Sequence, residues 1–421
     1  MQPFDVVVMG GGSAGLAAAV GAARSGARTL LIERGASLGG TASAALVHSI
    51  CGLYRLPESP EAPPRIANDG FAGEFAGRLA RIGGTSGPVR MGKVDVLLQH
   101  PTAFARAADA VVKESSNLEV RFHTELLTVG SDFQTATISC RGRTESIATR
   151  TMVDASGDAV CAAFGGAPCE SVPGERLQRP AFIFGLHGVN PAMLQDEGRL
   201  RIARQMALGV QDGRLPRGVL GAALRSSGRG TEAFVTIDLD APGYDPLDAL
   251  CLTSLEMAGR DLAGRIADFL KAAVPGFEES FISMFPTRIG VRESRRIVGR
   301  YRLEAEDLIH GARFDDAIAL ATWPMEMRET NRGPRLRYPD NGQPCEIPLR
   351  ALRARDHANL FAAGRCMASS HEAQASIRVI GTCLATGEAA GIAAALWAAC
   401  GECDAEAIRE QRKRIDSPIG S

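Results

Sequence analysis

The run from Asp5 to Glu33 constrains the fold more than any other part of the chain. Asp5-Val6-Val7-Val8-Met9 is a short apolar stretch of the kind that fills the centre of a parallel sheet. It leads straight into Gly10-Gly11-Gly12-Ser13-Ala14-Gly15, then into small residues from Leu16 to Ser25 that suit a tightly packed helix stopped at Gly26. Thr29-Leu30-Leu31-Ile32 reads as a second strand ending at Glu33. Gly10 permits a tight turn, Gly12 lets backbone approach a diphosphate, and Gly15 lets the helix lie close on the strand. The helix N-terminus then faces phosphate charge, and Glu33 can accept a hydrogen bond from a ribose hydroxyl. A carboxylate at that point repels a 2′-phosphate, which argues against NADP. The run predicts a dinucleotide-binding α/β unit.

A second glycine turn, Leu38-Gly39-Gly40-Thr41-Ala42-Ser43, follows closely and points to a flavin dinucleotide. The proline-rich stretch 57–64 cannot hold a helix and reads as an excursion. A helix from about Pro101 to Ser115 leads to a strand at Leu118–His123. Glu125–Val129, Thr135–Cys140 and Glu145–Ala148 read as a three-stranded meander, and Thr151–Asp154 as another buried strand. From Gly174 the pattern changes: Ala181–Leu186 and Ala233–Asp238 read as antiparallel strands. A long helix spans roughly Pro246 to Ala273, and Phe281–Pro286 and Arg295–Tyr301 are further strand candidates. After Arg350 the first pattern resumes, with a strand at Ala358–Ala363 and a helix over 381–400 whose Ala385, Gly387, Ala390 and Gly391 allow close packing. The tail from Asp404 reads as a solvated terminal helix.

The expected fold is therefore α/β: a Rossmann-like domain with a parallel sheet and a β-meander, carrying an inserted α+β substrate domain. The expected boundaries are 1–173 and 351–421 for the first domain and 174–350 for the insertion. At 421 residues two domains are the natural number, given roughly 100–200 residues each.

Composition excludes some functions. Lys+Arg 47 against Asp+Glu 48 leaves a net charge of −1, so no basic field gathers nucleic acid or an anionic membrane. Lysines are confined to Lys93, Lys113, Lys271 and Lys413, which disfavours Schiff-base chemistry. The ten cysteines are scattered, and Cys400-Gly-Glu-Cys403 is an isolated CxxC at a helix end, so no metal set is expected. No signal-like segment precedes Asp5, and the apolar stretch 391–400 is too short to span a membrane. These features predict a soluble, cytoplasmic protein with reduced thiols.

The C-terminal run NLFAAGRCMASSHEAQASIRVIGTCLATGEAAGIAAAL (359–396), with PTRIGVRESRRIVGRYRLEAEDL (286–308) and GGGSAG at the front, resembles FAD-dependent oxidoreductases related to the fumarate reductase and succinate dehydrogenase flavoproteins. The resemblance covers nearly the whole chain, with 55–100 and 187–232 matching least. It implies that Gly10, Gly12, Ser13, Ala14, Gly15, Glu33, Arg34, Gly40 and Thr41 contact the adenosine and diphosphate of FAD. Ala155 and Gly157 lie near the ADP portion. Gly364 and Arg365 lie near the diphosphate, where the arginine can pair with a phosphate. Gly381, Thr382 and Cys383 open a helix whose positive end faces the flavin. Covalent members of the wider group carry a histidine where this chain has Gly40, so non-covalent FAD is expected. His48 and Cys51 follow a few residues later, where they can face the ring; Cys51 is either a redox partner of the flavin or a buried thiol.

Two segments are candidates for chemistry. His371-Glu372 lies between flavin-contacting segments, with His371 either a base or clamp, or a structural histidine holding the loop. Glu372 is expected to orient neighbours or pair with Arg378. Arg292, Arg295 and Arg296 either present guanidinium to a substrate carboxylate or form an ion-pair network with Glu293; on a strand, Arg292 and Arg296 point one way and Arg295 the other. No second GxGxxG and no CxxxxC dithiol are present, so a separate electron acceptor, donor or O2 is expected as partner. Three functions remain open: oxidation of a small amine, amino acid or carboxylate by hydride transfer to flavin N5; reduction of an activated alkene with an external donor; or non-catalytic flavin binding. A homodimer is left open.

Overall fold

The computed structural model describes residues 3–330 and 333–416. The apolar run Phe4–Met9 is a buried strand that pairs in parallel with Thr29–Ile32 on one side and Arg143–Asp154 on the other. Leu118–Arg121 extends the sheet beyond Thr29–Ile32, and Leu360–Ala362 pairs in parallel with Met152–Asp154. The two strands expected at 145–148 and 151–154 are one. Its first half continues the antiparallel meander with Thr135–Cys140 and Glu125–Val129, and its second half enters the parallel sheet. Such open α/β sheets bind ligands beyond the carboxyl ends of their strands, which here end at Met9, Ile32, Asp154 and Ala362.

The helix Ser13–Arg24 packs on the last long helix, Ile380–Cys400, through small residues. A Cβ on Gly387 would stand 2.1 Å from the carbonyl oxygen of Ala14, and one on Gly391 would stand 1.9 Å from that of Ala18. The two helices thus meet at backbone contact, and glycine is required at both positions. Ile380–Cys400 is the one described helix long and apolar enough to cross a membrane; 78% of that window is buried inside the protein. The terminal helix, Ala405–Asp416, is docked on it rather than solvated. Ile408 is fully buried, and Arg412 Nε lies 3.0 Å from Glu388.

A second apolar core draws on residues from Leu177 to Ile289. Its sheet is antiparallel, in the order 223–226, 233–238, 181–187, 281–284. The helix Ala249–Ala273 covers it, begun by Asp248, whose carboxylate accepts from the Cys251 amide at 2.8 Å. Apolar side chains from Leu303 to Leu349, which fall in the expected 174–350 insertion, pack with the first core. The expected strand at 295–301 shrinks to Arg296–Ile297, paired with Cys169–Glu170; beyond it the Val298 amide donates to Pro168 O and Gly299 forms an isolated bridge with Ala354. The weakly matching segment 55–100 folds as a helix, Phe71–Arg81, and a small sheet of Ser49–Ile50, Val94–Gln99 and Thr85–Met91. All ten thiols are free.

Candidate functional site

A cavity of about 940 Å³ runs from the carboxyl ends of the parallel strands to the antiparallel sheet of the second core. At the strand end, three glycines of one motif have three different reasons. Gly10 has φ +97, and a Cβ there would lie 2.7 Å from the Ala155 carbonyl oxygen. A Cβ on Gly15 would lie 1.7 Å from the Gly10 carbonyl oxygen, so helix and turn pack only with glycine. Gly12 has an ordinary φ of −67, and a Cβ there would meet nothing nearer than Gly40 Cα at 3.9 Å. The space in front of Gly12 belongs to the cavity.

The helix begun at Ser13 has no side-chain cap and no acidic residue in its first turn, which leaves its amides for an anion. Glu33 is buried and held by the amides of Gly11 (to Oε2) and Gly35 (to Oε1), each at 2.7 Å; each oxygen keeps acceptor capacity for a ribose. Ser13, Ala14, Arg34, Gly40 and Thr41 line this end, with Ala155, Gly157 and Gly364 beside them. Cys383 lines the cavity at the uncapped N-terminus of Ile380–Cys400. The open backbone at Gly12, the uncapped amides and the anchored carboxylate fit the diphosphate and ribose of FAD.

Other expected contacts lie elsewhere. Gly15 serves packing, and Gly381 serves the backbone of Gly52–Leu53, from which its Cβ would be 2.5 Å. Thr382 is buried with its hydroxyl unpartnered, but it faces Gly52 and does not line the cavity. Arg365 reaches the wall but is already engaged: Nε donates to Gly157 O, Nη1 to Val291 O and Nη2 to Asp158, all at 2.7 Å. It holds two cofactor loops together and has little left for a phosphate.

The far end is built from charges. Arg292 lines it and pairs with Asp238 at 2.7 Å; Asp238 also takes Arg328 at 3.0 Å. Burial raises the Asp238 pKa, but Arg292 and Arg328 outweigh it and hold the carboxyl below its usual range. Arg328 further donates to Glu326 at 2.7 Å, and Trp323 Nε1 donates to the other oxygen of that carboxylate at 2.9 Å. Arg295 lines the wall but donates to Asp158 O at 3.1 Å, and Arg296 is buried on Glu293 at 2.6 Å. The expected alternation of these arginines fails because most of the segment is not a strand.

Two guanidiniums there lack a carboxylate among the described residues. The Arg225 guanidinium has one hydrogen bond, Nη1 to Met91 Sδ at 2.7 Å. Arg378 donates only to Gln178 Oε1 at 3.2 Å and Glu326 O at 3.3 Å, and its Nε is buried without a partner. Burial, with Arg292 and Arg328 nearby, pushes the Arg378 pKa down to about 10. His48 stacks on Phe234 with ring centroids 4.7 Å apart, and burial plus Arg225 pushes its pKa down to about 4, so it is neutral. Burial pushes the nearby Cys51 thiol up to about 12.

His371 and Glu372 stand outside the cavity. His371 is 3% exposed, with Nδ1 at 2.8 Å from both oxygens of Glu293. It belongs to a buried Arg296–Glu293–His371 array that fixes the loop behind the cavity wall. Glu372 turns outward to Arg176 at 3.8 Å and does not pair with Arg378. The sequence reading missed Arg225, Glu326 and Arg328, which lie in segments without a motif. It also passed over Arg288, which stands in the quoted 286–308 run but outside its RESRR core.

A dinucleotide-binding α/β domain opening onto a second antiparallel domain is the class these features define. The family model described as FAD dependent oxidoreductase matches residues 5–413, and the chain belongs to that family. It is an FAD-dependent oxidoreductase. No curated protein matches it by sequence. Among solved structures it is similar to a geranylgeranyl bacteriochlorophyll reductase-like protein from Thermoplasma acidophilum, at 12% identity over 99% of this chain and 83% of that one, TM-score 0.49. It is also similar to p-nitrophenol 4-monooxygenase PnpA from Pseudomonas putida DLL-E4, at 11% identity over 99% and 86%, TM-score 0.46. A third is aklavinone-11 hydroxylase with FAD and aklavinone, at 14% identity over 94% and 63%, TM-score 0.43.

Proposed function

We propose that the protein oxidises a small metabolite bearing a carboxylate, an amino acid or related acid, using non-covalent FAD in the Gly10–Gly15 cradle. The observation that carries this reading is the charge imbalance at the far end of the cavity. Four guanidiniums (Arg225, Arg292, Arg328, Arg378) face two carboxylates, Asp238 and Glu326, and the two arginines without an acidic hydrogen-bond partner both line the cavity with Glu326 and Arg328 as charged neighbours. Burying unpaired cations is costly unless an anion completes the site. FAD held in the cradle supplies a two-electron acceptor for a hydride from the substrate. Arg225 and Arg378 bind and orient the carboxylate, and Arg292 and Arg328, already neutralised, fix the wall that holds them. His48, neutral and stacked, and the protonated Cys51 give this wall no further charge. Gly40 supports the non-covalent reading, because it offers no side chain to a flavin methyl group.

Because one dinucleotide cradle is present among the described residues, electrons leave to, or arrive from, a separate partner or O2. The same charge surplus suits reduction of an unsaturated acid with an external donor, and this is the second reading. The branch related to fumarate reductase flavoproteins, suggested by the 359–396 run, is compatible with either. Anaerobic mixing of the holoenzyme with a panel of amino, hydroxy and unsaturated acids tests both. Bleaching of flavin absorbance by an amino or hydroxy acid supports oxidation. Reoxidation of dithionite-reduced enzyme by an enoate supports reduction, and no response from any acid refutes both and leaves a non-catalytic flavin-binding protein.

A further inference from the structure

Among the described residues Arg288 is a cation with no hydrogen-bonded or ion-paired carboxylate. It lines the cavity beside the Gly39–Gly40 turn, with Nη2 3.6 Å from where a Cβ on Gly40 would stand. Among the described residues it makes no hydrogen bond or ion pair. Its backbone is held on both sides. The Thr287 amide donates to Ala44 O at 2.9 Å, the Ile289 amide to Glu256 at 2.6 Å, and the Gly290 amide to Ala181 O at 2.8 Å. The side chain therefore reaches the cradle from a strap tied to the second core at Glu256 and Ala181 and to the loop of the Gly40 turn at Ala44. Burial and the neighbouring Arg34 and Arg365 work against its charge, while Glu33 and Asp158 support it.

The other cations near the cradle are placed differently. Arg365 and Arg295 are engaged with Asp158, through its carboxylate and its carbonyl, and Arg34 is exposed at the rim. Glu33 and Asp158 have their own donors. A dianionic group between the uncapped amides after Gly12 and the Gly40 turn would find Arg288 free to meet it. We propose that Arg288 is the counter-ion of the FAD diphosphate, a clamp that the second domain closes over a cradle built by the first. The cofactor then ties the two cores together, and its retention depends on a residue outside the glycine motif. This inference concerns the cofactor site and stands apart from which substrate is oxidised.

The test uses apoprotein prepared from the full chain, with R288M and R288K variants. FAD binding is titrated by fluorescence quenching, and ADP and adenosine are measured as competitors. R288M is expected to weaken FAD and ADP alike by about 10- to 100-fold, the range for one charge-assisted contact, while adenosine is unchanged and R288K recovers part of the loss. Wild-type affinity of R288M for FAD and ADP overturns the proposal, as does an equal loss for adenosine. If R288M does not fold, phenylglyoxal labelling of the wild-type apoprotein decides. Labelling at Arg288 that ADP prevents and adenosine does not is the expected result; no labelling there, or equal protection by adenosine, refutes it.

Discussion

Replacing Gly12 by valine separates cofactor retention from folding. With φ −67 and ψ −177 the backbone at Gly12 is open to any L-residue, and the nearest atom to a new Cβ is Gly40 Cα at 3.9 Å. The position is a helix N-cap with no side-chain hydrogen bond to lose, so the exchange costs the fold about 1 kcal/mol or less. The two methyl groups, however, stand in the space in front of the helix amides. Moving the diphosphate off those amides and off Arg288 forfeits at least two charge-assisted contacts of roughly 1.5–3 kcal/mol each. The expected loss is about 3–6 kcal/mol, or between 10² and 10⁴ in the FAD dissociation constant. Titration of the apoprotein with FAD, beside a thermal melt of both apoproteins, reads the two effects independently. A G12V protein that melts like wild type but emerges colourless agrees with this geometry. One that keeps FAD at wild-type affinity refutes the placement of the diphosphate and the register of the whole motif.

Gly15→Ala is expected to do the reverse, lowering the melting temperature of apoprotein and holoenzyme alike, because its Cβ would lie 1.7 Å from the Gly10 carbonyl oxygen. R225M is expected to leave the flavin spectrum intact and raise KM for the acid substrate about 10- to 100-fold with a smaller change in kcat; an unchanged KM removes Arg225 from the substrate site. His371→Gln is expected to lower stability and leave hydride transfer nearly untouched, with a defined pH dependence. Burial opposes the His371 charge, but Glu293 outweighs it and raises the pKa above 6.5. Burial likewise raises Glu293, yet His371 and Arg296 bring it below 4.5. The pair thus contributes fully between about pH 4.5 and 6.5, fading as pH rises through the raised histidine value or falls through the lowered glutamate value. A wild-type minus variant difference in melting temperature that grows toward pH 8 contradicts this. Cys51, its thiol pushed up to about 12, is expected to resist iodoacetamide at pH 8 while exposed Cys400 reacts; rapid loss of the Cys51 thiol in mapped digests contradicts the raised thiol.

The nucleotide half was legible because its constraints are local. A strand, a glycine turn, a helix of small residues and an acid at the next strand end each leave a mark within thirty residues, and the structure places Gly10, Gly12, Ala14, Glu33 and Gly40 on one cavity wall. Helix 380–400 was legible for the same reason, since Gly387 and Gly391 announce a backbone-to-backbone contact. The substrate half was not. Arg225 sits on an edge strand, opposite Phe234, and only the tertiary fold brings it to the cavity that Arg378 and Glu326 also line, without a carboxylate of its own. Conversely, His371, Arg296 and Arg365 have the composition of a catalytic cluster, and their fate was decided by Glu293 and Asp158, partners that spacing alone does not assign. A charged residue's role depends on whether its charge is already answered, and that is a property of the fold.

The most direct test of the account is the absorption spectrum of the purified protein before and after acid precipitation. Flavin bands in the native protein, with all the colour passing to the supernatant as FAD, are the predicted result for a diphosphate held by Gly12, the helix amides and Arg288 with no covalent link. Colour left in the pellet would contradict the non-covalent site and put His48 or Cys51 under suspicion. A colourless protein that FAD cannot reconstitute would contradict the assignment of the cavity itself.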